Sequence, residues 1–398
     1  MSITATVIGE AVQLTGNPIR IQCTGGSVPA GASEYKITLK ITSEDGKLEG
    51  APFTDAIAPD SSGEAWFNIA GYVDQPVKAL FQFPPSGASV AYPTQAFNIQ
   101  IQPGERYIDE EGNLQESWGT TSSIFQMLKG GLSPRQIAMM NDYGTNFFDT
   151  YIAGNKWLTP RPWGEMVHPT QAVKLWFMVA ANIGATFTVK TYFDDGSDNI
   201  YTSAVALNKD SLHEFNCNPA NLGVDIEPTG KRASHFDVWL QMGSSSQVRR
   251  FTFDWQFVER PVFLMFANSL GGIDDVYFRG YIKDKFNTEG DTVYHPPLRD
   301  DTVFDPTLLT PNKSGQNKWI FNTGWKPITT LQFYRDLLVS KQAWYLYSNI
   351  SITSYIVIPV IINNGDKVLF SRKDNLFSID IEVSEAHQTK FSFDNRMY

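Results

Sequence analysis

Nearly every apolar run in this chain is short, alternates apolar with polar residues, and stops at Gly, Pro, Asn or Asp. A period of two is the mark of a strand with one buried face, and it is incompatible with helices, whose apolar residues recur three and four apart. Ile19, Ile21 and Cys23 alternate in this way, as do Tyr35, Ile37, Leu39 and Ile41. The runs 65–69 and 96–101 continue the series, the second closing before Pro103-Gly104. Ser43-Glu44-Asp45-Gly46 has the residues of a hairpin turn. Residues 1–104 therefore read as an immunoglobulin-like β-sandwich, with turn signals at about the 8–12-residue spacing of that fold.

The same pattern returns further on. Val173, Leu175, Phe177 and Val179 alternate, and 185–192, 235–242 and 250–257 read as strands of a second sandwich over 156–258. Between the two, residues 105–155 lose the period and read as an irregular arm or linker, the kind of long excursion that often contacts a partner. Within it Ser133 is placed to cap a short helix with Pro134 in its first turn. The last domain, 259–398, is expected to be α+β. Its hairpin 262–278 turns at Ser269-Leu270-Gly271-Gly272, and 287–318 is rich in turn residues. Thr329 or Thr330 would cap the one short helix, Leu331–Val339, whose Phe333, Leu337 and Leu338 share a face. Strands at 344–347, 355–362 and 376–383 follow, the last two separated by the turn 363–366.

Composition bounds what such a chain does. Hydrophobic residues make up 42% and charged residues 19%, which suits a globular protein and not a disordered one. Aromatics reach 13%, and rings favour pleated surfaces and large contacts. The net charge of −10, with basic clusters no larger than pairs such as Lys231-Arg232 and Arg249-Arg250, argues against nucleic acid as a partner. The N-terminal MSITATVIGE lacks a basic and an apolar region, so no secretory signal is expected. The most apolar run, 355–362, is far below the roughly 20 residues that span a bilayer. No membrane insertion follows, and synthesis as a soluble protein in a cytoplasm is the expectation.

Chemistry-bearing residues are sparse. Cys23 and Cys217 read as lone buried thiols. His168, His213, His235, His295 and His387 are scattered without ligand spacing, so no metal, catalytic or cofactor site is assigned. Asp194, Asp195 and Asp198 surround Gly196 like part of a calcium loop, yet the Glu that would complete it is missing, and a hairpin turn is the better reading. Asp109-Glu110-Glu111 reads as a solvated loop, and Gly271-Gly272 as a tight turn and not a phosphate loop.

Three patterns occur in order: Phe263-Leu264-Met265-Phe266-Ala267-Asn268-Ser269-Leu270-Gly271-Gly272, then Asn322-Thr323-Gly324-Trp325 ahead of Asp336-Leu337-Leu338-Val339-Ser340, then Ile358-Pro359-Val360-Ile361-Ile362. With Gly63-Glu64-Ala65-Trp66-Phe67-Asn68-Ile69 and Leu128-Lys129-Gly130-Gly131-Leu132-Ser133, the chain resembles tail-associated virion structural proteins of Bacteroidota phages and prophages. The resemblance covers nearly the whole chain and brings no catalytic residues with it. It implies a non-enzymatic tail or baseplate component, assembled in the host cytoplasm and acting in the virion. Its partners would be copies of itself and other tail proteins, with 105–155 and 287–318 as the arms between subunits. The alternatives are a module binding a host surface glycan or receptor, and a glycan-cleaving tail enzyme using a carboxylate pair.

Overall fold

A computed structural model describes residues 3–9, 11–25, 28–43, 48–74, 87–93, 95–209, 211–258, 261–289, 293–294, 308–309, 312–348, 355–363, 376–387 and 389–392. The fold is mainly β, 50% strand against 11% helix. It divides into two compact units, residues 1–255 with 267–274, and 256–266 with 275–398.

In the first unit, Thr4–Ile8, Arg20–Thr24 and Ala65–Asn68 form an antiparallel sheet. A second sheet runs in the order Val12–Leu14, Ser122–Leu128, Ala96–Ile108, Ser33–Ser43, Phe53–Ile57. Alternation decides which side chains meet. Ile21, Cys23 and Phe67 from one sheet and Ile37, Leu39, Ile41 and Ile99 from the other share one core. Each of the seven is at most 1% exposed. At the hydrophobic yield of about 25 cal/mol per Å² this interior is the main stabilising term.

The expected arm at 105–155 is largely absorbed into this unit. Ala96–Ile108 runs straight through Pro103 and Gly104, which read as a turn in the sequence. Leu114–Trp118 and Ser122–Leu128 extend the same sheet, and Phe125 and Met127 enter the core. Leu114–Trp118 is exposed along almost its whole length, so it has no apolar period to read. Beyond it lies the helix Pro134–Asp142. Ser133 caps it as expected, and Gln136 completes a reciprocal capping box. A π-helical turn, Phe148–Ile152, follows.

The same unit holds a second pair of sheets. One is Glu165–Val167, Arg249–Phe253, Ala233–Gln241, Ile183–Phe193, Asp198–Leu207; the other is Lys174–Phe177, Leu212–Asn216, Ser89–Tyr92. Their shared core includes Leu175, Phe177, Phe187, Val189, Phe215, Phe236 and Val238. Ser89–Tyr92 comes from the stretch assigned by sequence to the first sandwich, yet it pairs with Leu212–Asn216. The strands Lys174–Phe177 and Leu212–Asn216 are buried on both faces.

The second unit is one long mixed-order antiparallel sheet. Its strands stand in the order Ile273–Phe278, Val262–Ala267, Ala343–Ser348, Tyr355–Ile362, Asp380–Glu385, Asn312–Asn322, Ile282–Glu289. The helix Leu331–Val339 lies where the sequence placed it, with Phe333 and Leu337 in the core and Leu338 half-buried. Its start differs from expectation. A 3₁₀ turn, Ile328–Thr330, leads into it, so Thr330 has helical backbone and its hydroxyl donates to the Pro327 carbonyl at 2.7 Å instead of capping. The turn-rich 287–318 contains a small ladder, Val293–Tyr294 with Leu308–Leu309. The 376–383 strand is broken into Leu376–Phe377 and Asp380–Glu385. The turns at 44–46 and 364–366 lie outside the described residues. No described helix is long and apolar enough to cross a membrane.

Candidate functional site

The doubly buried strands raise a chemical question, because they carry ions. In an antiparallel strand alternate residues share a face. Leu175, Phe177 and Phe215 point into the apolar core, so Lys174, Trp176 and Glu214 must occupy the opposite face. There Lys174 Nζ meets Glu214 Oε1 at 2.5 Å, both side chains being at most 3% exposed. The Tyr92 hydroxyl donates to Glu214 Oε2 at 3.0 Å, across 122 residues of chain. Tyr92 and Trp176 pack ring against ring at 5.5 Å.

Trp176 carries the polar seam onward. Its indole N–H donates to the Ile273 carbonyl at 2.6 Å. The next residue, Asp274, is fully buried and accepts from Arg161 Nε at 3.0 Å, Thr159 Oγ1 at 2.8 Å and Asn268 Nδ2 at 2.8 Å. Arg161 also reaches Glu165 at 3.0 Å, and Arg249 donates to the Arg161 carbonyl at 2.8 Å. Burial pushes the Asp274 carboxyl above the usual range, while Arg161, Asn268 and Thr159 pull it back. Burial likewise pulls the Arg249 guanidinium down.

The turn at Gly271-Gly272 exists to complete this seam. Asn268 Oδ1 accepts from Leu270 N and Gly272 N, closing the loop on itself. Gly271 takes φ +95°, and a Cβ on Gly272 would stand 2.6 Å from the Leu158 carbonyl. The sequence identified the turn but not its partners. Arg161 and Asp274 lie 113 residues apart, and only an aspartate inside an apolar strand pattern hinted at an interior charge.

The residues weighed in the sequence have local tasks. Asp195 accepts from Ser197 N and Oγ and is held below the usual carboxylate range, mainly by the Ser197 hydroxyl; Gly196 supplies φ +84°. Lys190 pairs with Asp198 at 2.7 Å and Asp194 accepts the Arg232 amide, so these three carboxylates form a hairpin turn. Asp109 closes its own turn through Asn113 and Gln115 and is held low by them, the Gln115 amide first. Cys23 and Cys217 are not disulfide-bonded and are fully buried in separate cores, and burial pushes the Cys23 thiol up to about 12. His168 is half-buried and His213 buried, and desolvation lowers both. His295 lies outside the described residues. Among the described residues no three His, Cys, Asp or Glu side chains gather as a metal-ligating group.

One exposed surface combines rings and ions. On the outer face of the five-stranded sheet, Tyr192 stacks on His235 at 4.5 Å and 12°. Arg250 grips Asp237 through two 2.7 Å bonds and lies over Trp163, which is 57% exposed. Lys190 lies over the Tyr192 ring at 4.8 Å. No known family model matches the chain, and no curated protein matches it.

Proposed function

We propose that this chain is a non-enzymatic structural component of a phage or phage-like particle, of tail or baseplate type, acting by multi-copy assembly. In this reading it is built of two immunoglobulin-like sandwiches and a C-terminal α+β unit. Its partners are further copies and neighbouring tail proteins, and its place is the virion. The observation that supports it most is the fate of the interior charges. Arg161 pairs with Asp274 and Lys174 with Glu214, the first pair bonded to Thr159 and Asn268 and the second to Tyr92, at exposures that bring no substrate within reach. Such groups stiffen a scaffold. A glycosidase needs its carboxylates in an open cleft, one of them poised as an acid. The motif resemblance to tail-associated proteins points the same way.

The ring-and-ion surface around Trp163, Tyr192, His235 and Arg250 favours a second reading, a module that binds a host glycan. Exposed ring faces stack on sugar C–H groups, and the flanking ions offer hydrogen bonds to hydroxyls. One pair of experiments separates the readings. The purified protein is expected to form oligomers, measured by sedimentation, and to show no retention on capsular or cell-wall glycans. Glycan retention that Trp163→Ala abolishes, in a protein that stays monomeric, would replace the assembly reading with the second.

A further inference from the structure

The strand Asp198–Leu207 is the most exposed long edge in the first unit. Among the described residues it is bonded on one side only, to Ile183–Phe193, through ten consecutive pairs without a bulge. Its other side presents a row of unpaired backbone N–H and C=O groups, a template for another strand. Proteins ordinarily blunt such edges with charge, proline, bulges or short length. The opposite edge of this sheet is the three-residue Glu165–Val167. The outer edge of the second unit's sheet, Ile282–Glu289, carries Lys283, Asp284, Lys285 and Glu289. From Asn199 to Leu207 there is no charge, no proline and no glycine.

We propose that two copies of this chain pair through this edge, antiparallel about a two-fold axis, joining their five-stranded sheets into one. The inference rests on the assembly reading and names its surface. Three features favour a second copy as the occupant. The strand opposes no like charges when paired with itself. Tyr201, Ser203 and Val205 lean toward the core while Ile200, Thr202, Ala204 and Ala206 face outward and are exposed. Residues opposite each other on a ladder must share a face, which puts the axis at Thr202 or at Ser203. In both registers the projecting Ile200, 54% exposed, meets an alanine of the other copy, Ala204 or Ala206. Those alanines border a shallow groove of about 500 Å³ that Gly184 and Thr186 also line. The isoleucine of each copy thus enters the small-residue trough of its mate. A strand-sized contact lies at the low end of specific interfaces, so the pairing should depend on concentration.

Sedimentation velocity on the full chain, from about 1 to 100 µM, should show a self-association that Thr202→Lys with Ala204→Lys weakens at least about tenfold, since lysines then face lysines or stand beside them across the axis. The double variant must melt at the wild-type temperature. Disulfide trapping fixes the register: Thr202→Cys or Ser203→Cys should form a covalent dimer on oxidation. Background is low because Cys23 and Cys217 are fully buried. An oligomer unmoved by the lysines and untrapped by either cysteine overturns the edge pairing and leaves assembly through another surface. A wild-type protein that is monomeric throughout overturns the self-assembly reading with it.

Discussion

Arg161 and Asp274 show how a buried ion pair holds a fold through completeness more than through net attraction. Removing one partner from such a pair typically costs about 3–5 kcal/mol, because the other charge is left unsolvated. Arg161→Met is expected to destabilise by that amount in urea denaturation. Arg161→Met with Asp274→Asn should recover part of the loss, since an amide tolerates burial better than a carboxylate. Two equally damaging variants would show that shape and not charge matters here. His168 and His213 set a second expectation. Burial lowers both below the ordinary 6.5, His168 being partly restored by Asp254. Above that value the folded and unfolded chains are equally neutral and this stability is fully present. As the pH falls past it the unfolded chain takes up protons that the folded protein accepts only at lower pH, so stability declines. Melting temperature should therefore drop between neutral pH and about pH 5, less steeply for His168→Gln with His213→Gln. A profile that is equally steep in the double variant assigns the loss to other groups. Lone buried thiols were legible in the sequence from Cys23 and Cys217. The interior charges were not, because local patterning senses neighbours within a turn or a strand, and these partners meet only through tertiary structure.

At the level of elements, legibility followed burial contrast. Ser33–Ser43 and Arg20–Thr24 were readable because one face is core and the other is not. Leu331–Val339 was readable because its apolar residues recur at helical spacing. Leu114–Trp118 carried no contrast, since both faces are wet, and Lys174–Phe177 carried none because both faces are dry. The Pro103-Gly104 pair misled for a different reason. It reads as a turn by residue type, yet Gly104 pairs with both Thr38 and Trp118 inside the sheet. The helix offers a clean test of face assignment. Leu337 is 0% exposed and packs with Phe333, Val262 and Leu264 in one core cluster, whereas Val339 is 74% exposed. Leu337→Ala should cost about 2–5 kcal/mol, and Val339→Ala less than about 0.5 kcal/mol, both by chemical denaturation. Similar costs at the two positions would mean that the helix does not dock through the face described.

On the scale of the whole molecule, the chain's order and its packing part company. A reading in series treats each sandwich as contiguous, because periodicity says nothing about which strands become neighbours. The first unit instead takes Ser89–Tyr92 into the sheet formed by Lys174–Phe177 and Leu212–Asn216, and it takes residues 267–274 from beyond its own continuous stretch. Both borrowings are anchored by the buried polar seam: Tyr92 on Glu214, Ile273 on Trp176, and Asp274 on Arg161. A protein cut after Trp255 therefore keeps every strand of the two sandwich-like layers but loses Asn268 and Asp274. Arg161 keeps Glu165 but loses Asp274, and Thr159 and the Trp176 indole lose their acceptors. Each orphaned buried polar group costs about 1–3 kcal/mol, and a marginally stable unit of this kind holds only about 5–15 kcal/mol in reserve. The fragment 1–255 is expected to express as a loosely packed protein with strand content retained, tryptophan fluorescence shifted to the red, and a broadened urea transition. Adding Arg161→Met to that fragment should cost less than in the full chain, because Asp274, one of its two charged partners, is already gone. A fragment that unfolds as sharply and at the same urea concentration as the first unit of the whole protein would show that 267–274 is an ornament on this unit and not part of its frame.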